Sequence, residues 1–245
     1  MKKNDIGSEP AKDEFSRRFP ILLGSMVISV ILATGVFATP STQIWNPSAD
    51  IQPAGTVHLG IDNYFTADDV SSGGYAFPTD VGLTYGALPG LEVGVDSLLP
   101  QANLSASSLV ANAKYGIPEN GMIPALAVGA FNFGSHRLDQ NVVYGVAAKA
   151  FAFGRLSAGY FAGNEKALLD PSGNKDNAGA ILTWDKQLTD KLWACVDYAG
   201  TKSALGATFY GGSWNFSSNT SVLFAYGTYN NGAKPTITTQ MDINI

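Results

Sequence analysis

Imidazole titrates nearest to neutral pH, so the two histidines are the first places to look for acid–base chemistry. His136 lies in Gly134-Ser135-His136-Arg137, beside a serine. A hydrolase needs a Ser–His pair with an orienting Asn or Asp, and adjacent residues in one loop supply the types without the geometry. Asp68-Asp69 could join His136 as the paired acids and base of an aspartyl-type protease, on equally thin support. His58 is flanked by Val57 and Leu59 in an alternating segment, where a structural or interior-facing role fits better than catalysis. Asp170-Pro171-Ser172-Gly173-Asn174-Lys175-Asp176 offers oxygen ligands and a turn but lacks the spacing and terminal Glu of a helical calcium loop, so it reads as a solvated loop. There is no phosphate-cradling glycine loop and no metal-ligand cluster, so no cofactor is expected. Cys195 is the single cysteine, which rules out an internal disulfide and a Cys-pair zinc site. A net charge of −5 gives no basic footprint for nucleic acid. The sequence predicts no enzyme.

The elements that position these residues are strands. Charged residues make up only 14% of the 245, while glycine numbers 27. A soluble all-β sandwich would carry more Lys and Glu on its surface. A barrel with an apolar outer face and a lumen of small and polar side chains accounts for the mixture. The pattern predicts twelve strands: 55–65, 77–87, 91–98, 107–117, 122–133, 141–153, 155–163, 177–184, 191–199, 204–216, 220–230 and 236–245. Connections after even-numbered strands (88–90, 118–121, Gly154, 185–190, 217–219) are mostly tight. Several after odd-numbered strands (66–76, 99–106, 134–140, 164–176) are longer and rich in Asp, Asn, Ser and Gly, although 200–203 and 231–235 are short. The asymmetry is that of a barrel with short periplasmic turns and longer external loops, which puts both termini in the periplasm.

Before the strands, Lys2, Lys3, Lys12, Arg17 and Arg18 precede an uncharged run from Ile21 to Ala38 that ends Val36-Phe37-Ala38. This predicts an export signal over 1–38, with an uncleaved anchor as the alternative. Residues 39–52 are polar, contain two prolines and do not alternate; they read as a periplasmic lead-in to a barrel over 53–245, and this segment with Trp45 is long enough to enter the lumen as a plug, which the sequence leaves open.

Alternation assigns faces. His58, Asp62, Asp80, Glu92, Asp96, Asn112, Lys114, Lys149, Thr183, Asp197, Gln240, Asp242 and Asn244 take the inward parity. Of these, His58, Asp62, Asp80, Glu92, Asp96, Lys114, Lys149, Asp197, Gln240 and Asp242 are the expected pore-lining residues. The excess of acids over lysines predicts a preference for cations if the lumen is open. The alternative is that the charges pair and seal it. Tyr85, Tyr115 and Trp184 fall outward at periplasmic strand ends, and Tyr144, Tyr160 and Tyr198 outward at external ends, as two interfacial belts would require.

The final segment, Pro235 to Ile245, alternates Ile237, Thr239, Met241, Ile243 and Ile245 against Thr238, Gln240, Asp242 and Asn244. With the signal and the twelve segments, this closing strand resembles those of Gram-negative outer-membrane β-barrels of the porin-like type, which usually end in Phe where Ile245 stands here. The resemblance implies an antiparallel up-and-down transmembrane barrel in the bacterial outer membrane, in contact with its lipid. It further implies recognition by the barrel-assembly machinery through the last strand, and passage of small hydrophilic solutes. A closed barrel displaying loops 66–76 and 164–176, or a rim-active hydrolase, are the alternatives.

Overall fold

The computed structural model describes residues 41–74, 77–100 and 105–245. The expected leader and its cleavage site lie outside the described residues. Twelve strands follow one another: β1 (Val57–Thr66), β2 (Thr79–Leu88), β3 (Leu91–Leu99), β4 (Leu109–Ile117), β5 (Ala125–Phe133), β6 (Val142–Phe151), β7 (Gly154–Ala162), β8 (Ala178–Gln187), β9 (Leu192–Ala199), β10 (Ala207–Asn215), β11 (Thr220–Tyr229) and β12 (Thr236–Asn244). Each is antiparallel to its chain neighbour, and β12 pairs with β1 from His58↔Asn244 to Thr66↔Thr236 to close the barrel. Closure removes every sheet edge, which is the condition for a sheet to sit in lipid.

Period-two alternation divides the wall. Leu83, Val95, Leu126, Val128, Leu182 and Phe224 stand exposed on the outer surface. Tyr85, Tyr115 and Tyr160 are exposed there too, and Trp184 and Tyr198 are half-buried on the same face.

In β6 the faces are opposite to those expected. Val142, Tyr144, Val146 and Ala148 point inward and are buried, so Tyr144 is an interior residue that tilts against Phe131 rather than part of an outer belt. Lys149 accordingly leaves the lumen. It sits partly exposed at the strand end and pairs with Glu119 of the β4–β5 connection at 2.7 Å. The segment Val142–Ala148 is apolar or small on both faces, so hydropathy does not choose between them. A lysine at the rim can turn out to a carboxylate at little desolvation cost, and this one does.

Residues 41–52 take the interior position that their length allows. They fold back into the barrel, making a tight turn in which the Gln43 N–H donates to the Asn46 carbonyl (2.8 Å) and the Ser48 N–H to that of Ser41 (3.1 Å). Ile44, Trp45, Ala49 and Ile51 of this plug pack on the apolar inner wall of β5–β11, against Tyr144, Phe161 and Ile181 on one side and Phe209, Leu223 and Tyr229 on the other. Trp45 belongs to both groups and stacks on Phe209 with ring centroids 5.1 Å apart.

Candidate functional site

The plug is fixed by interior side chains from around the barrel. Asp197 on β9 is fully buried, and its Oδ2 accepts the N–H groups of Ile44 (3.2 Å), Trp45 (2.8 Å) and Asn46 (2.8 Å). Its Oδ1 accepts the Asn46 side-chain amide and the Thr183 hydroxyl. A buried carboxylate with this many donors is a satisfied anion, and the plug backbone provides most of the donors. Glu92 on β3 accepts the Ser41 hydroxyl (2.8 Å) and the Gln52 N–H (2.6 Å) while pairing with Lys114 on β4 at 3.3 Å. Lys114 also donates to the Ser41 carbonyl. Arg155 on β7 grips Asp50 with both guanidinium arms, Gln240 on β12 donates to the Ile44 carbonyl, and the Trp45 indole donates to the Leu205 carbonyl.

Because the plug lies on the apolar wall, open space remains against β1–β4. A cavity of about 550 Å³ is lined there by Asp62, Asp80, Asp96 and Asn112 and by the aromatic rings of Trp45, Tyr64 and Phe77. Small residues keep this wall thin. Gly82 lies opposite Asp96 across the β2–β3 pair, and a Cβ at Gly82 would come within 2.6 Å of Asp96 Oδ1. Asp62 and Asp80 are direct cross-strand partners.

No family model and no curated sequence matches the chain. Among solved structures, it is similar to the KdgM porin at 7% identity and a TM-score of 0.52, covering 76% of this chain and 98% of that one. An outer membrane channel from Pseudomonas putida F1 (12% identity, TM-score 0.43, 79% and 97% covered) and Salmonella typhi OmpF in complex with daunomycin (7%, 0.43, 78% and 96%) are further matches. The chain has the closed antiparallel barrel fold of the KdgM porin.

Of the residues expected to line this barrel's pore, His58, Asp62, Asp80, Glu92, Asp96 and Lys114 border the cavity. Asp197, Gln240 and Asp242 also face inward and are buried, with Asp197 and Gln240 committed to the plug. Lys149 is outside. Interior residues not anticipated are Arg155 and Asp185. Arg155 shares the parity of Ser157 and Phe161, and Asp185 follows Thr183 by two. Carrying the predicted 177–184 strand one residue further finds Asp185, while the outward Tyr160 already turns Arg155 inward within 155–163.

The catalytic candidates do not converge. Asp139 accepts the Ser107 hydroxyl (2.7 Å), the Ser107 N–H (2.6 Å) and the His136 N–H (2.7 Å). It therefore holds the backbone of His136, whereas a triad needs the carboxylate on the imidazole and the imidazole on the serine. Among the described residues, no group of His, Cys, Asp or Glu side chains is placed to hold a metal ion.

Proposed function

We propose that this barrel is a porin-like channel for small hydrophilic solutes with a mild preference for cations, its lumen narrowed by residues 41–52 to the β1–β4 side. The observation that carries the reading is the cavity beside the plug. Among the described residues, no Lys, Arg or His forms an ion pair with Asp62, Asp80 or Asp96, so the open part of the lumen presents carboxyls without a basic partner. Carboxylates around a confined aqueous path concentrate cations and repel anions. The test is single-channel conductance of refolded residues 39–245 (the form left by cleavage after Ala38) in a planar bilayer under a salt gradient. Reproducible steps with a cation-selective reversal potential are expected.

The density of contacts around the plug favours one other reading, a sealed barrel that displays loops 66–76 and 164–176. Silence from folded, heat-modifiable protein would select it. In either case we read the barrel as non-enzymatic, a reading supported by Asp139 accepting the His136 backbone N–H together with the Ser107 hydroxyl and N–H, which is not the hydrogen-bond order of a triad. Lipase or protease activity that disappears in His136→Ala would refute it. The apolar row Ile237, Met241 and Ile243 on β12 is the surface we assign to the barrel-assembly machinery. Replacing it with polar residues should leave the chain unassembled in the periplasm.

A further inference from the structure

The cavity has two unlike linings. In one, Asp62 and Asp80 stand directly opposite each other on adjacent strands, an arrangement in which like charges destabilise a sheet. Asp96 adds a third carboxylate across Gly82, the missing side chain there leaving room for Oδ1. Asp80 Oδ1 is buried with no hydrogen-bond partner. The neighbouring His58 also lines the cavity but is committed to the wall, its Nε2 pairing with Asp242 Oδ1 at 3.5 Å and its Nδ1 bonded to Asn244. A carboxylate oxygen left unpaired beside a cavity points to a guest that pairs with the group.

The other lining is aromatic. Trp45, Tyr64 and Phe77 contact one another with centroid separations of 5.6 Å (Trp45–Tyr64), 6.0 Å (Trp45–Phe77) and 5.7 Å (Tyr64–Phe77). Tyr64 follows Asp62 on the same face of β1, so ring and carboxylate adjoin. Ligand cavities commonly have volumes of roughly 300–1,000 Å³, with mostly apolar walls and a few convergent polar groups, and this one conforms. Its carboxylates are not grouped to hold a bare metal ion, and the rings favour a cation with an apolar body, through the attraction of a positive charge for the face of an aromatic ring.

We propose that the cavity is a binding site for small organic ammonium ions, with the charged end at Asp62, Asp80 and Asp96 and the apolar part against Trp45, Tyr64 and Phe77. The proposal deepens the channel reading and rests on it for the solute class. The site itself can be measured without any current.

The experiment is calorimetric titration of folded residues 39–245 in detergent with phenethylammonium, its uncharged counterpart 2-phenylethanol, and methylammonium, which lacks the apolar body. Saturable binding of phenethylammonium is expected, roughly tenfold or more tighter than either of the others, with Asp62→Asn and Asp80→Asn each weakening it by about tenfold. Equal binding of phenethylammonium and 2-phenylethanol, or unchanged affinity in a folded Asp62→Asn, would overturn the proposal. If the variants do not fold, the three-probe comparison on the unmodified barrel decides. A barrel that conducts but does not bind phenethylammonium refutes this site and leaves the channel standing. Binding in a barrel that never conducts supports the site and removes the channel.

Discussion

Asp197 Oδ2 receives the Trp45 backbone N–H at 2.8 Å across 152 residues of sequence, joining the plug to the wall at mid-barrel. The same oxygen accepts the N–H groups on either side, so the turn around Trp45 is organised by one anion. Replacing Asp197 with Ala removes the acceptor of three consecutive N–H groups. Each buried donor left unpaired costs about 1–3 kcal/mol, which the packing of Trp45 and Ile44 has to withstand. The expected result is a folded, heat-modifiable barrel whose plug is cut by added protease within 41–52, where the unmodified plug resists. Equal resistance in both would mean that Trp45 packing alone holds the segment.

Where the plug leaves the lumen it passes Gly86. A Cβ there would lie 2.0 Å from the Pro53 carbonyl oxygen and 2.7 Å from that of Gln52. Both are backbone atoms, so relief requires moving the chain. Gly86→Ala is expected to displace residues 51–53 and loosen the Gln52 N–H from Glu92, raising proteolysis of the plug as in Asp197→Ala while β2–β3 pairing persists. Faster amide exchange at Gln52, with protected amides at Thr84 and Val93, would show it.

Strand number, order and closure were legible because most strands have one apolar and one polar face; β12, with Ile237 and Met241 outside and Gln240 and Asp242 inside, is the clearest. In β6 the alternation was weak, and the reading fell on the wrong face. The plug carried no periodic signal at all. Residues 41–52 owe their place to hydrogen bonds with Glu92, Asp197 and Gln240, whose inward parity could be read but whose partners could not. The same limit hid the aromatic wall. Tyr64 and Phe77 are ordinary strand-end aromatics in sequence, and they form a wall only because Trp45 is delivered between them.

The external rim offers a pH dependence. Burial raises the Asp139 carboxyl, but the Ser107 hydroxyl, the N–H groups of Ser107 and His136 and the pull of the His136 ring overcome it, leaving the group below the usual aspartate range. A carboxylate depressed in the folded loop contributes stability that is complete above the ordinary aspartate pKa and is lost as pH falls through the folded value. Amide exchange at Ser107 and His136 should therefore remain slow down to mildly acidic pH and quicken below the ordinary aspartate range. In Asp139→Asn that acid-dependent step should vanish. A step that persists in the variant would assign it to another group.

Selectivity gives the sharpest division between cavity and plug. Asp80 and Asp96 face open space, whereas Asp197 is shielded by the turn it binds. Charge that solute can approach sets a reversal potential, and charge consumed by internal hydrogen bonds contributes little. Asp80→Asn and Asp96→Asn are thus expected to move the reversal potential under a salt gradient toward the unselective value, additively if the two act as independent fixed charges. Asp197→Asn keeps a side-chain oxygen for the plug but loses the anion, so its main effect should be on conductance, through a looser plug. If Asp197→Asn abolished selectivity while Asp80→Asn left it intact, the conducting path would run on the β9 side, and the plug would have to leave the position it holds here for solute to pass.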